Sequence, residues 1–141
     1  MHLTFEMLQE DDISQINEII DWWTECNHDQ IRKFLSEKQN IAHVAKLDNK
    51  VIGLIYSYSL TCFDCDEPQF FIYSVDIHEQ YQNKSYGSQF VKYVVDWARD
   101  NGFCETFVLT NKSNPHACKV YEKAGLIYNK ADDIRMYGIE Y

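Results

Sequence analysis

The stretch from residue 69 to residue 101 constrains this chain more than any other. Residues 69–77 form an apolar, strand-like run, a short turn follows, and residues 85–101 carry a strong amphipathic helix pattern. Tyr86, Phe90, Val91, Val94, Trp97 and Ala98 fall on one face of that helix, and Asn101-Gly102 ends it. Strict alternation along the strand places Phe71, Tyr73, Val75 and Ile77 on one face, with Ile72, Ser74, Asp76 and His78 on the other. A strand that turns directly into a helix aims the helix's unpaired first N–H groups, with the positive end of its dipole, at whatever sits over the turn. Small residues in the turn let an anionic diphosphate approach the backbone. Ser85, Gly87 and Ser88 provide them here, and Gln82 and Lys84 add side-chain donors. A turn this poor in glycine says little when taken alone.

The rest of the chain supplies the frame. Residues 2–8 alternate as a strand, and Asp11-Asp12 offers N-cap chemistry for an amphipathic helix whose buried stripe is Ile13, Ile16, Ile20 and Trp23. Trp22 lies off that stripe. A second helix is predicted over residues 29–38, with Ile31, Phe34 and Leu35 inward. Strands follow at 41–47 and 51–60, joined by the hairpin-like Asp48-Asn49-Lys50. A polar, acidic loop spans 61–68. Beyond the central helix come a compact strand at 103–110 and a helix opened by Asn114-Pro115, which Gly125 closes. Residues 126–141 read as a two-strand hairpin around Lys130-Ala131-Asp132-Asp133. The predicted order is β-α-α-β-β-β-α-β-α-β-β, a single α/β domain over residues 1–141 with one mixed sheet.

Composition narrows the function classes. A chain of 141 residues suits one domain with a real core. The net charge of −9, from 22 acids against 13 bases, argues against a nucleic-acid partner and is compatible with a cationic one. The chain has no apolar run near the ~20 residues of a membrane span, and residues 1–6 lack signal-peptide character, so a cytoplasmic protein with no membrane partner is expected. Cys62-Phe63-Asp64-Cys65 has the spacing of half a zinc site. Cys26, Cys104 and Cys118 form no second pair in sequence, so two free thiols in a loop, and no metal, are expected.

The turn and the last helix gain weight together. Gln82-Asn83-Lys84-Ser85-Tyr86-Gly87 resembles the Gln/Arg-x-x-Gly-x-Gly/Ala signature of the GNAT (Gcn5-related) N-acetyltransferase superfamily. Asn114-Pro115-His116-Ala117-Cys118-Lys119-Val120-Tyr121-Glu122-Lys123-Ala124-Gly125-Leu126 resembles that family's second motif, in which Asn opens a helix, Tyr follows seven residues later and Lys-x-Gly-Phe closes it, with Leu126 in the place of Phe. The resemblance runs from about residue 51 to the C-terminus. It implies a mostly antiparallel mixed sheet flanked by helices and acetyl-CoA as cosubstrate, with Gln82 to Ser88 on the pyrophosphate, Asn114 on the pantetheine arm and Val75 and Ile77 beside the cofactor. The backbone N–H of Ile77 would polarise the thioester carbonyl. Two positions depart from the signature. Ser85 stands where the first Gly falls, and costs more than Gly if φ must be positive; Gln82 stands for Arg.

Transfer of acetyl to an amine needs a proton for the departing thiolate and a base for the amine. The resemblance assigns the acid to Tyr121, whose phenol has an ordinary pKa of about 10. A core aromatic is the plainer reading of the same residue, since Ala117, Val120, Tyr121 and Ala124 share a helical face. Asp76, on the strand beside the thioester, is the leading base, with Ser74 or His78 able to position a water; a solvated strand-end carboxylate is the plainer reading. Phe71-Ile72-Tyr73 and Asp132-Asp133-Ile134-Arg135-Met136-Tyr137 are similar to the aminoglycoside 3-N-acetyltransferase branch, although Ser74 replaces an acidic residue there. An acidic rim of Asp64, Asp66, Glu67, Asp132 and Asp133 would suit an aminoglycoside or polyamine, with Trp22 and Ser74 as further acceptor contacts. Those short matches do not carry an antibiotic-resistance role. A peptide N-terminus as acceptor, and a CoA-binding module without catalysis, are the alternatives. Relatives of this size often pair through terminal strands, so the resemblance also allows a homodimer.

Overall fold

The two-residue turn Asp48-Asn49 sets the register of the sheet. Both residues take positive φ (49° and 70°), the twist that joins Leu47 to Lys50 in a tight hairpin. In the computed structural model, which describes residues 1–19, 27–129 and 135–141, the strands are β1 (Leu3–Met7), β2 (Asn40–Leu47), β3 (Lys50–Leu60), β4 (Gln69–Ile77) and β5 (Glu105–Val108). They lie in sequence order, antiparallel except for the parallel pair β4–β5. The helices are α1 (His28–Ser36), α2 (Tyr86–Asp100) and α3 (Pro115–Lys123). This is the expected α/β architecture, a mixed and mostly antiparallel sheet flanked by helices.

The sheet is covered on both faces. Ile52, Ile55, Phe70 and Ile72 meet Phe90, Val91, Val94 and Ala98 of α2 on one side. Val44, Val51 and Leu54 meet Ile13, Ile16 and Ile19 on the other, with Ile31, Phe34 and Leu35 of α1 packed against them as expected. α2 therefore buries the stripe read from its 3.6-residue period.

Three expectations need correction. The first helix is a 3₁₀ helix, Glu10–Glu18, and its stripe is Ile13, Ile16 and Ile19. A spacing of three matches the three residues per turn of that helix. Its N-cap is Gln9, not the Asp pair; the buried Asp12 accepts from the Gln9 amide at 2.8 Å and pairs with Lys46 at 2.9 Å. Second, the tail forms no hairpin among the described residues: 126–129 and 135–141 are not strand, and Ile127, Met136 and Tyr137 are exposed. β5 is only four residues long and offers little edge on which such a hairpin could pair. Residues 20–26 and 130–134 lie outside the described residues, so Ile20, Trp22, Trp23, Asp132 and Asp133 do too.

The third correction concerns β4. Opposite β3, the register passes from Tyr58↔Phe71 and Ser57↔Ile72 directly to Tyr56↔Ser74, leaving Tyr73 as an extra residue. This bulge reverses the alternation. Phe71 and Tyr73 lie on the α1 side with Tyr58 and Tyr56, whereas Val75 and Ile77 pack on the α2 side beside Phe70 and Ile72. The four residues expected on one face are thus split between two.

Candidate active site

β4 and β5 pair only from Gln69↔Glu105 to Ile72↔Val108. Past the bulge β4 continues to Ile77 without β5, and the opening between β4 and α3 is a cleft of about 440 Å³. Its walls are Val75, Ile77 and Tyr81 on one side and Val120 and Tyr121 on the other, with Gln82, Asn83, Ser85, Gly87 and Ser88 at one end. The sheet can approach its own backbone closely here because Gly53, opposite Ile77, has no side chain. A Cβ on it would stand 2.7 Å from Ile77 Cδ1 and 3.1 Å from the Asp76 carbonyl oxygen.

The turn after β4 leaves the first amides of α2 open. His78 caps a short 3₁₀ turn, Glu79–Tyr81, by accepting from the Gln80 amide at Nδ1. Asn83 and Ser85 then both adopt left-handed conformations, with φ of 60° and 64°. Such alternation turns successive amides toward one point. The Gln89 amide makes the first helical bond of α2, to the Ser85 carbonyl at 3.2 Å. The amides of Tyr86, Gly87 and Ser88 precede it and have no intrahelical partner.

The signature residues divide by task. Gln82 donates from Nε2 to the Ile77 carbonyl at 2.9 Å, so its side chain braces the turn against β4. Gln82, Asn83, Ser85, Gly87 and Ser88 line the cleft. Lys84 is exposed outside it, and Tyr86 is half-buried against the core. A methyl on Gly87 would meet Ile77 and Val120 at 3.7 Å, an ordinary contact. Packing therefore does not demand glycine there.

α3 forms the opposite wall. The Asn114 side chain accepts from the Ala117 amide at 3.1 Å, and Pro115 takes the first turn. The helix ends with Gly125 at φ 96°, whose amide bonds the Glu122 carbonyl while the Leu126 amide bonds that of Tyr121. So Asn114 is both a cap and a cleft residue. Half-buried Tyr121 faces the cleft, and its phenol is held above the ordinary tyrosine range, first by burial, then by the charges of Asp76 and Cys118. It keeps its proton at neutral pH, as a proton donor must.

Asp76 and Ser74 lie on the other face of β4, opposite Leu54 and Tyr56, and outside the cleft lining. The Ser74 hydroxyl donates to Asp76 Oδ2 at 2.7 Å. Beside them stand Tyr56 and Tyr73, stacked at 5.6 Å, with Tyr58 edge-on to Tyr73. His78 serves as a cap and does not join this group. Asp64, Asp66 and Glu67 lie in the loop before β4, at the far end of a strand about 27 Å long from the cradle, and do not line the cleft.

The cleft also holds residues that the sequence reading passed over: His116, Lys119 and Lys123. With Val120 they repeat at i, i+3, i+4 and i+7, a helical stripe legible in the sequence but lost among apolar positions. Two lysines and three open amides give this cleft a cationic lining in a chain of net charge −9.

The Acetyltransferase (GNAT) family profile matches residues 4–126. The chain belongs to the GNAT acetyltransferase family, whose members use acetyl-CoA. No curated protein sequence matches it closely enough to name a relative. Among solved structures, it resembles an aminoglycoside acetyltransferase from an uncultured soil metagenomic sample, in complex with sisomicin: TM-score 0.83, 20% identity, 98% of this chain and 97% of that one. A ribosomal-protein-alanine N-acetyltransferase from Brucella melitensis biovar Abortus 2308 superposes with TM-score 0.80 at 14% identity over 100% of both chains. AAC(6')-Iy, in complex with a bisubstrate analog, gives 0.80 at 15% over 100% of both. At these identities the likeness concerns the fold. The lining of the cleft joins lysines and open amides at one end to apolar side chains of β4 and α3, a chemistry that suits an anionic group on an extended arm. No helix among the described residues is long and apolar enough to cross a membrane.

Proposed function

We propose that this GNAT protein transfers the acetyl group of acetyl-CoA directly to a primary amine of a small cationic acceptor, of aminoglycoside or polyamine type. One observation carries the reading: β4 separates two chemically different surfaces that meet at its unpaired half. On the α2 side, the cradle of Ser85 to Ser88 and the lysines of α3 bind an anionic cosubstrate. On the α1 side, Asp76 and Ser74 sit among tyrosine rings, an arrangement that attracts a cation by charge and by its π faces.

Acetyl-CoA supplies the activated acyl group, and the chain's own residues handle the protons. Asp76, oriented by Ser74, receives a proton from the incoming amine directly or through water. Tyr121 delivers one at the cleft side, where burial keeps its phenol protonated. The Ile77 amide, at the end of β4 beyond its pairing with β5, polarises the thioester carbonyl. Asn114 contacts the pantetheine arm with the part of its side chain not used for the cap. Trp22, Asp132 and Asp133 remain candidate acceptor contacts.

A panel of aminoglycosides, polyamines and peptides with acetyl-CoA, read by thiol release, tests the assignment. Turnover of the small polyamines or aminoglycosides supports it. Turnover of peptides alone, or tight CoA binding without any turnover, overturns it.

A further inference from the structure

Cys62 and Cys65 flank a turn after β3, and Cys104 lies about forty residues away, just before β5. The parallel pairing of β4 with β5 brings their starts side by side, Gln69 opposite Glu105. As a result the three sulfur atoms lie within 4.8 Å of one another. Their polar surroundings converge as well. The Cys65 and Cys104 thiols both donate to the Glu67 carbonyl, at 3.2 and 3.5 Å, and the Cys104 amide bonds the Pro68 carbonyl at 3.0 Å. Without a cation the Cys62 thiol is pushed up to about 11, first by its hydrogen bond with Cys65, then by burial and the neighbouring thiols, so the three sulfurs share one electrostatic site. Asp64, Asp66 and Glu67 add negative charge in the same loop.

We propose that Cys62, Cys65 and Cys104 form a three-thiolate site for a thiophilic d¹⁰ cation of the Zn²⁺ type, stapling the β3–β4 loop to edge strand β5. Thiolate donors select such cations over hard ones. Zn–S bonds of about 2.3 Å in tetrahedral array put sulfurs about 3.8 Å apart, so closing the site asks for a shift of about 1 Å. Two of the three cysteines are exposed and one arm is a loop, which makes that shift easy. The three thiols lose their protons to solvent on binding, and the cation offsets the charges they acquire. The fourth position falls to the Glu67 carbonyl oxygen or to water. This site stands at the opposite end of β4 from the acetyl-CoA cleft and does not depend on the proposed reaction.

The full chain, reduced with a phosphine and freed of metal, is titrated with Co²⁺ and then Zn²⁺ against a chromophoric chelator. Expected are one ion per chain, sulfur-to-cobalt charge transfer, and a Zn²⁺ Kd tighter than about 1 µM. Cys104→Ser weakens binding about 100-fold, whereas Cys118→Ser leaves it unchanged. Zn²⁺ also slows alkylation of all three cysteines. Binding weaker than this, an unchanged Cys104→Ser affinity, or a Cys62–Cys65 disulfide formed in air despite bound-level Zn²⁺ overturns the proposal. Circular dichroism of Cys104→Ser separates loss of the site from loss of the fold.

Discussion

Ser85 holds a left-handed conformation, with φ of 64° and ψ of 8°, at the N-cap of α2. For a residue with a Cβ that geometry costs about 1–2 kcal/mol. N-cap serine normally offsets part of such a cost through its hydroxyl, but this one makes no capping bond. Ser85→Gly removes the steric cost and gives back about 0.5–1 kcal/mol because glycine is freer in the unfolded chain. The net expectation is a gain of about 0.5–1 kcal/mol. For 141 residues the unfolding entropy is about 0.3 kcal/mol/K, so Tm rises by about 2–3 °C. Differential scanning calorimetry reads the shift, with Ser85→Ala as control. Alanine loses the hydroxyl but keeps the Cβ, and should give no gain. A turn that keeps its left-handed geometry when CoA binds gains equally in both states from this change, so CoA affinity should stay within about twofold. An equal gain for alanine would refute the backbone argument. So would a tightening of CoA binding with no change in Tm, since the free chain would then not hold the left-handed turn.

Gly87→Ala should leave the fold intact, or more stable by up to ~1 kcal/mol from helix propensity. It should weaken CoA about 5- to 150-fold by placing a methyl in the cleft, the overpacking cost being ~1–3 kcal/mol; calorimetric titration measures it, and unchanged affinity would remove Gly87 from the cradle. Tyr121→Phe should lower kcat by about 10²–10⁴ with little change in CoA affinity or Tm; full turnover at saturating acetyl-CoA would end its role as acid. His43 is buried, meets the rings of Tyr93 and Trp97, and has neither ring nitrogen hydrogen-bonded. Burial pushes its imidazole from 6.5 down to about 4. The folded state therefore binds fewer protons than the unfolded state between these values. Stability from this group is complete above pH 6.5 and is lost as pH falls toward 4, by about 3 kcal/mol in all. His43→Leu should flatten that slope and add about 1 kcal/mol at pH 7 by removing two unsatisfied nitrogens; urea unfolding at several pH values checks both.

What could be read from the sequence depended on how local the cause was. The stripe of α2, the Asp48-Asn49 turn and the Gly125 stop each follow from residues within a few positions of one another, and each appears where expected. The turn of small residues before α2 was legible for the same reason, since it is a local pattern. The sign of φ at Ser85 was not, because either hand suits serine until the strand end and the helix axis fix the path between them. The bulge at Tyr73 is harder still. Phe70 to Ile77 alternates in a way that supports uninterrupted pleating, and the extra residue is set by how β3 pairs with β4 around Tyr56. Yet that bulge decides the chemistry. With unbroken alternation, Phe70 and Ile72 in the core beneath α2 would carry Asp76 to that side, under the helix and away from the tyrosines. One inserted residue sends Val75 and Ile77 to the cleft face and leaves Asp76 with Ser74 on the other. In the proposed reaction, Tyr121 as acid and Asp76 as base would then act from opposite sides of one strand. The thiol cluster obeys the same logic. Cys62 and Cys65 were visible as half a site, and the other contributor is reached only through the parallel pairing of β4 with β5, a contact no spacing along the chain encodes.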